Sequence, residues 1–373
     1  MTQAPMLCEV STKEWNDWHW QIRNRICSLE RLENIISLSY PEKKALISTD
    51  TSLPFSITPY YASLLDRNNP QQPIRKSVIP TIYETETSNY EDEDPLSEHA
   101  DSIFPNLIHR YPDRVLFLVT DFCSTYCRYC TRSRIVGGSD NFTSQQAEWD
   151  QAIEYIESRP QIRDVLLSGG DPLTLSDTML EKLLSRLRKI KHVEIIRIGT
   201  KVPAVLPQRI TPSLTEMIRK YHPVWMSLHF THPDELTPET SQACSRLSDA
   251  GIPLMSQTVL LSGINDAPGV LKTLFQGLLR IRVKPYYLYQ CDPVKGTAHF
   301  RTSLETGQKI INEIQGYTSG YAVPLYVIDA PGGGGKIPVM PNRIIHKDLS
   351  NLLYLKNYKG EIYGYYYRPN LRS

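Results

Sequence analysis

From residue 114 onward, short apolar runs alternate with longer stretches in which apolar residues recur every three or four positions. The runs are RVLFLVT (114–120), DVLLSGGDP (164–172), VEIIRIGT (193–200), VWMSLHF (224–230), PLMSQTVLL (253–261) and KPYYLYQCD (284–292). Apolar runs of this length, bounded by Gly, Pro and Asp, predict strands. The stretches between them, such as SDTMLEKLLSRLRKI and SLTEMIRKY, predict helices. Strands that alternate with helices predict an α/β fold with a parallel sheet and right-handed crossovers. About six such units predict an open or partial (β/α) barrel. In barrels of this kind the active site gathers at the C-terminal strand ends. The unusual residue clusters of this chain fall at those ends.

The pattern before residue 114 is different. STKEWNDWHWQIRNRICSLERLENII predicts one or two amphipathic helices, with Ser11 as N-cap and Glu14 at the capping-box position. Trp15, Trp18 and Trp20 predict packing rather than a binding platform. SYPEKKALISTDTSLPFSITPYYASLL predicts a helix and then a proline-broken arm. YETETSNYEDEDPLSEHA (83–100) predicts a solvated acidic linker. The expected organisation is an N-terminal helical region and linker (1–100), the barrel (101–341) and a C-terminal extension (342–373).

Composition narrows the class. The 373 residues suffice for one large domain or two ordinary ones. A hydrophobic content of 40% and a charged content of 22% suit a soluble globular protein. A formal net charge of +1 gives no global field toward nucleic acid or anionic lipid, and neither partner is expected. There is no apolar signal core at the N-terminus and no run approaching eighteen apolar residues, so a cytoplasmic location without membrane insertion is expected. Clustered cysteines in that compartment point to metal binding or chemistry, not disulfides.

Three of the seven cysteines lie in DFCSTYCRYCTRSR (121–134), spaced C-x3-C-x2-C directly after the first strand of the alternation. Structural zinc takes four ligands, and Cys8, Cys27, Cys244 and Cys291 offer no second pair. Three thiolates would leave one iron of a four-iron cluster without a protein ligand, an open position for a small molecule. A zinc site and a reactive thiol patch are the alternatives. A second cluster is DAPGGGGKIPVMP (329–341). It fails the nucleotide P-loop pattern, which needs Gly at Ala330 and Ser or Thr at Ile337, and prolines follow Lys336 closely. A lysine on a flexible loop, free to form a Schiff base with a carbonyl, is the better reading; an exposed glycine loop with a solvated lysine is the bland one.

These motifs carry a resemblance. CSTYCRYC resembles the cluster-binding motif of radical S-adenosylmethionine (radical SAM) enzymes, and SGGDP (168–172) fits the glycine-rich stretch whose backbone meets the SAM amino group. With PGGGGK added, the chain resembles the lysine 2,3-aminomutase family from about Trp15 to about Tyr363. The similarity includes RYPDRVLFLVTDFC, RIGTKVPAVLPQRIT, HFTHPDELT, KPYYLYQCD and VIDAPGGGGK. The resemblance implies a radical SAM partial (β/α)6 barrel with a [4Fe-4S] cluster on Cys123, Cys127 and Cys130. It implies SAM contacts at Ser168, Gly169, Gly170, Asp171, His229 and Gln257. It implies pyridoxal 5′-phosphate (PLP) held by Lys336, with Arg110, Tyr111 and Arg114 near the phosphate. Arg132 would pair with the substrate carboxylate, and Asp292 and Asp329 would hold its distal ammonium. The implied activity moves the α-amino group of L-lysine to C3, giving β-lysine; L-arginine or ornithine is the alternative substrate. A reductant such as flavodoxin or ferredoxin and a homo-oligomeric state are implied as well. A glutamate-specific relative is disfavoured by the two aspartates, and a non-catalytic scaffold by the completeness of the motifs.

The chain departs from the family pattern at Thr231, where Asn is common, at Met255-Ser256, where Gly-Asn is common, and at Ser133, where Arg is more frequent. Its C-terminal segment has no cysteine cluster for zinc, and Ala267 stands at the expected partner position, so no zinc is expected.

Overall fold

The structure is a computed structural model that describes residues 10–48, 53–137, 146–347 and 351–366. Cys8 and the end of the C-terminal extension lie outside the described residues. One ten-stranded sheet runs in chain order: β1 (Ser102–Phe104), β2 (Leu107–Tyr111), β3 (Arg114–Thr120), β4 (Asp164–Gly169), β5 (Ile195–Thr200), β6 (Val224–His229), β7 (Leu254–Leu260), β8 (Lys284–Gln290), β9 (Leu325–Ala330) and β10 (Gly335–Pro338). The strands from β3 to β9 are parallel to their neighbours, and antiparallel strands flank them on both sides. The six expected parallel strands are present, and β9 extends the parallel set by one.

Alternation along the strands sorts the two faces of the sheet. Val165, Leu167, Ile196, Ile198, Val224 and Leu228 are buried in the main core. They share it with Leu180, Leu183, Leu184 and Leu187 of the crossover helix Asp177–Lys189. Each such side chain contributes about 1.5–3 kcal/mol by leaving water. The intervening residues, including Ser168, Arg197, His229 and Gln257, face a cavity instead. Successive strand side chains point to opposite faces, so one alternating sequence supplies both the core and the site wall.

The N-terminal region differs from expectation. The Ser11–Glu14 capping box is present, but the helical stretch is split into Thr12–Trp15, Trp18–Arg23 and Leu29–Glu33. Asp17 and Ser28 restart the helix as side-chain caps, and Ile26 pairs with Ile57 between them. Trp15 and Trp18 pack against the core, and the Arg209 guanidinium lies 4.5 Å from the Trp18 ring centroid. The segment 83–100, expected to be a solvated linker, is packed: Glu98 is buried, and Glu84, Asp94 and Glu98 all pair with arginines of the cysteine loop. The extension forms a separate antiparallel sheet of β11 (Ile344–Lys347), β12 (Leu352–Lys356) and β13 (Ile362–Tyr366).

Candidate active site

A cavity of about 800 Å³ opens at the C-terminal ends of the parallel strands and is lined by all the residues singled out above as candidate ligands. The cysteine loop follows β3 and is held by the end of β4. The Gly170 N–H donates to the Thr120 carbonyl at 2.5 Å, and the Asp171 N–H to the Phe122 carbonyl at 2.9 Å. A Cβ on Gly169 would lie 2.2 Å from the Thr120 oxygen, and one on Gly170 2.4 Å from the Phe122 oxygen. The glycine pair is therefore required for the strand end to reach the loop at all.

Cys123, Cys127 and Cys130 all line the cavity. Burial pushes their thiols up, Cys127 to about 11, and neighbouring thiols add to the effect at Cys123 and Cys127. Such groups become thiolates when a bound cation stabilises them. Among the described residues no group of three or more His, Cys, Asp or Glu side chains converges on a single-ion site. Three thiols on one loop that line one cavity are a donor set that suits an iron–sulfur cluster, in which separate irons take separate thiolates.

The arginines interleaved with the cysteines are each held by the acidic segment. Fully buried Arg128 donates to Glu84 at 2.9 Å and to the Leu53 and Pro54 carbonyls. Arg132 donates through Nη2 and Nε to the two carboxylate oxygens of Glu98, at 2.6 and 3.2 Å. Arg134 reaches Glu98 at 3.1 Å and Asp94 at 3.0 Å. Burial opposes ionisation of Glu98, but Arg132 and Arg134 together hold its carboxyl below its ordinary value. The sequence reading of Arg132 missed this partner.

Across the cavity, β9 and β10 form a hairpin in which Lys336 stands directly opposite Asp329. The Lys336 Nζ lies 2.6 Å from Asp329 Oδ2 and 5.5 Å from the Tyr289 ring centroid. Its backbone N–H donates to the Tyr111 hydroxyl at 3.1 Å. Lys336 thus sits on a paired strand, not on a flexible loop. The glycines before it make the turn, with Gly332, Gly333 and Gly335 at φ of 69°, 82° and 76°. Just beyond β8, Asp292 has its carboxyl raised to about 7 by burial and by the charge of Asp329. Asp329 Oδ1 is buried without a hydrogen-bond partner. Arg110 is turned to Asp101, at 2.6 Å, and to the Leu96 carbonyl. The Arg114 guanidinium stacks 3.8 Å from the Tyr111 centroid. Arg110, Tyr111 and Arg114 line the same cavity as Lys336, with Arg110 paired to Asp101 and Arg114 to Asp113. Guanidinium N–H groups and a phenol beside a primary amine are donors that suit the phosphate and carbonyl of PLP.

On the opposite wall the carboxylate of Asp171 accepts from the Thr200 hydroxyl at 2.6 Å and from the N–H groups of Leu173, Lys201 and Val202. It ties the ends of β4 and β5 together, so its carboxylate is spent on the protein and leaves the backbone of 168–170 and the side chains of His229 and Gln257 to meet a ligand. Burial and then Lys201 keep the His229 pKa well below its usual value, so the ring is neutral, with Nε2 3.1 Å from the Tyr129 hydroxyl. That hydroxyl also meets Thr231 at 2.8 Å, and Lys201 bridges Thr231 and Glu235. Thr231 is therefore part of a buried polar network rather than of the cavity wall, whereas Met255 lines the cavity and Ser256 is buried. Of this network the sequence singles out His229 and Thr231, but not Tyr129, Lys201 or Glu235.

The radical SAM superfamily matches residues 117–271, and the lysine-2,3-aminomutase family matches residues 311–371. The L-lysine 2,3-aminomutase of Clostridium subterminale is 52% identical over 357 residues, covering 96% of this chain and 85% of that protein. The chain belongs to the lysine 2,3-aminomutase family. The L-lysine 2,3-aminomutase of Fusobacterium nucleatum is also 52% identical, over 98% of this chain and 85% of its own length. A family member of different specificity, the glutamate 2,3-aminomutase of Clostridioides difficile, is 43% identical over 94% of this chain and 82% of its own length. Family membership makes this a radical SAM enzyme, with a [4Fe-4S] cluster, SAM and PLP as its cofactors.

Proposed function

We propose that this chain is an L-lysine 2,3-aminomutase that produces β-lysine, acting on a small-molecule substrate in the cytoplasm as a homo-oligomer and drawing electrons from a flavodoxin- or ferredoxin-type reductant. The observation that carries the substrate assignment is the pair of acidic side chains Asp292 and Asp329 in one cavity, of which Asp329 already holds an ammonium, that of Lys336. Cys123, Cys127 and Cys130 ligate the cluster, and Lys336 provides the amine for PLP. When bound, the cluster with SAM supplies a hydrogen-abstracting radical, and PLP carries the migrating nitrogen and spreads the unpaired spin.

The protein's own part is positional. Arg132 takes the substrate carboxylate, and Asp292 and Asp329 take the distal ammonium, so the substrate is fixed at both ends. That fixes the carbon between them at one distance from the hydrogen acceptor. A glutamate side chain would meet two carboxylates and be repelled. A guanidinium could satisfy the same pair, so L-arginine is the second reading.

Turnover with L-lysine, L-arginine, L-ornithine and L-glutamate, with products identified by mass and NMR, tests this. Lysine should give the highest kcat/KM. Losing one charge-assisted hydrogen bond of about 1.5–3 kcal/mol in Asp292→Asn or Asp329→Asn should lower it by about ten- to a hundredfold. Equal kcat/KM for the wild type and both variants would remove the aspartates from substrate recognition.

A further inference from the structure

The Lys336 side chain reaches across the β9–β10 hairpin to the carboxylate assigned above to the substrate. Lys336 and Asp329 are a register pair on adjacent antiparallel strands. Side chains of such a pair project from the same face, about 4.5–5.5 Å apart at Cβ. The contact is therefore built into the hairpin, and its length of 2.6 Å is that of a charge-assisted hydrogen bond. Asp329 is nearly buried, and its other oxygen has no partner. Leaving that carboxylate without a cation would be costly. Asp292, just beyond β8, lines the same cavity, and Tyr289 presents its ring to the ammonium at 5.5 Å. A buried carboxylate and an aromatic face on one primary ammonium, with a second acidic side chain in the same cavity, make a site for an alkylammonium, and the chain fills it with its own side chain.

We propose that the Lys336 ammonium and the distal ammonium of a basic amino acid are mutually exclusive occupants of the Asp292–Asp329 pair, so that the pair accepts a substrate only when the Lys336 amine is engaged elsewhere. This deepens the reading above and rests on its assignment of the two aspartates to the substrate side chain. The consequence is an order of events. In the cofactor-free chain Lys336 occludes the ammonium site, and basic amino acids bind poorly. When the Lys336 amine is taken up by the cofactor carbonyl, it leaves the carboxylates, and they become a vacancy of fixed charge that selects a cation. One residue thereby couples cofactor loading to side-chain specificity.

The test needs no turnover. Binding of L-lysine and of its neutral analogue L-norleucine to the full, cofactor-free chain is measured by isothermal titration calorimetry. The wild type is compared with Lys336→Met, which keeps the bulk and removes the charge. A second variant, Lys284→Met, removes another cavity-lining lysine, whose Nζ is committed to the Pro285 and Tyr321 carbonyls. Lys336→Met should bind lysine about tenfold more tightly or better, the scale of one charge-assisted hydrogen bond, with norleucine unchanged. Lys284→Met should bind both ligands as the wild type does. Equal gains for lysine and norleucine would mean that only space was made, and would overturn the proposal. Equal lysine affinity in wild type and Lys336→Met would overturn it too. The triple variant Asp292→Asn/Asp329→Asn/Lys336→Met separates the two levels. If it still prefers lysine to norleucine, the aspartates do not read the side chain, and the substrate reading fails with the proposal. If the preference vanishes there while Lys336→Met gains nothing over wild type, the reading stands and only mutual exclusion is lost.

Discussion

Glu98 meets two guanidinia at once, and the orientation of Arg132 depends on it. A bidentate pair fixes the plane of the guanidinium as well as its position. Glu98→Gln keeps the shape but cannot accept from both Arg132 nitrogens as an anion. Its KM for lysine should rise by about ten- to a hundredfold, the equivalent of about 1.5–3 kcal/mol, while kcat falls much less. Unchanged KM in steady-state kinetics would mean that Arg132 needs no such support. Asp292 makes a prediction of a different kind. Its folded carboxyl titrates at about 7, whereas an unfolded aspartate titrates near 3.9. Between about pH 4 and pH 7 the cofactor-free fold keeps a proton that the unfolded chain has lost. This contribution is full below about pH 4 and is lost as pH rises through 7. Asp292→Asn should flatten that decline, so that urea midpoints at pH 5 and pH 8 differ less than in the wild type. Parallel profiles would show that Asp292 does not titrate in this window.

At the scale of elements, the cysteine loop is clasped from two sides. On one side is the end of β4, where Gly170 allows backbone contact. Gly170→Ala places a methyl within 2.4 Å of the Phe122 oxygen, a clash that only loop displacement relieves. It should lower iron content after anaerobic reconstitution while the far-ultraviolet circular dichroism stays native; full iron loading would contradict this account of the glycine. On the other side is the acidic segment, where Glu84 neutralises fully buried Arg128. Glu84→Gln leaves a buried guanidinium without its countercharge and should cost about 3–5 kcal/mol in urea denaturation. A loss well under 1 kcal/mol would mean that the pair is solvated.

These two sides were not equally legible in the sequence. The parallel strands announced themselves by period and punctuation, and SGGDP stood at a strand end. The acidic segment carried no local mark, because Glu98 pairs with an arginine 34 positions away and Glu84 with one 44 away. Only the fold brings those charges together. The β9–β10 hairpin was hidden for another reason: a glycine run and flanking prolines argue against a strand, yet β10 lies at the sheet edge, where Pro338 is tolerated.

At the scale of the molecule, one cavity joins the cysteine loop, the β4–β7 strand ends and the β8–β10 carboxylate–lysine group. Among the described residues no helix is long and apolar enough to cross a membrane. The cysteines, Lys336 and the two aspartates could be proposed from sequence, because each lies in a stretch that resembles the family's. Their shared wall, the Glu98 support and the Lys201–Glu235 network could not, since they depend on which strands become neighbours. The central claim is that these groups together move an amino group between adjacent carbons. The most direct measurement follows L-lysine labelled with 15N at its α-amino group through turnover by the reduced, fully reconstituted enzyme. NMR should find the label bonded to C3 of β-lysine and retained within the same molecule when unlabelled ammonium is present in excess. Label that remains on C2 while SAM is consumed, or that is lost to the ammonium pool, would contradict the account.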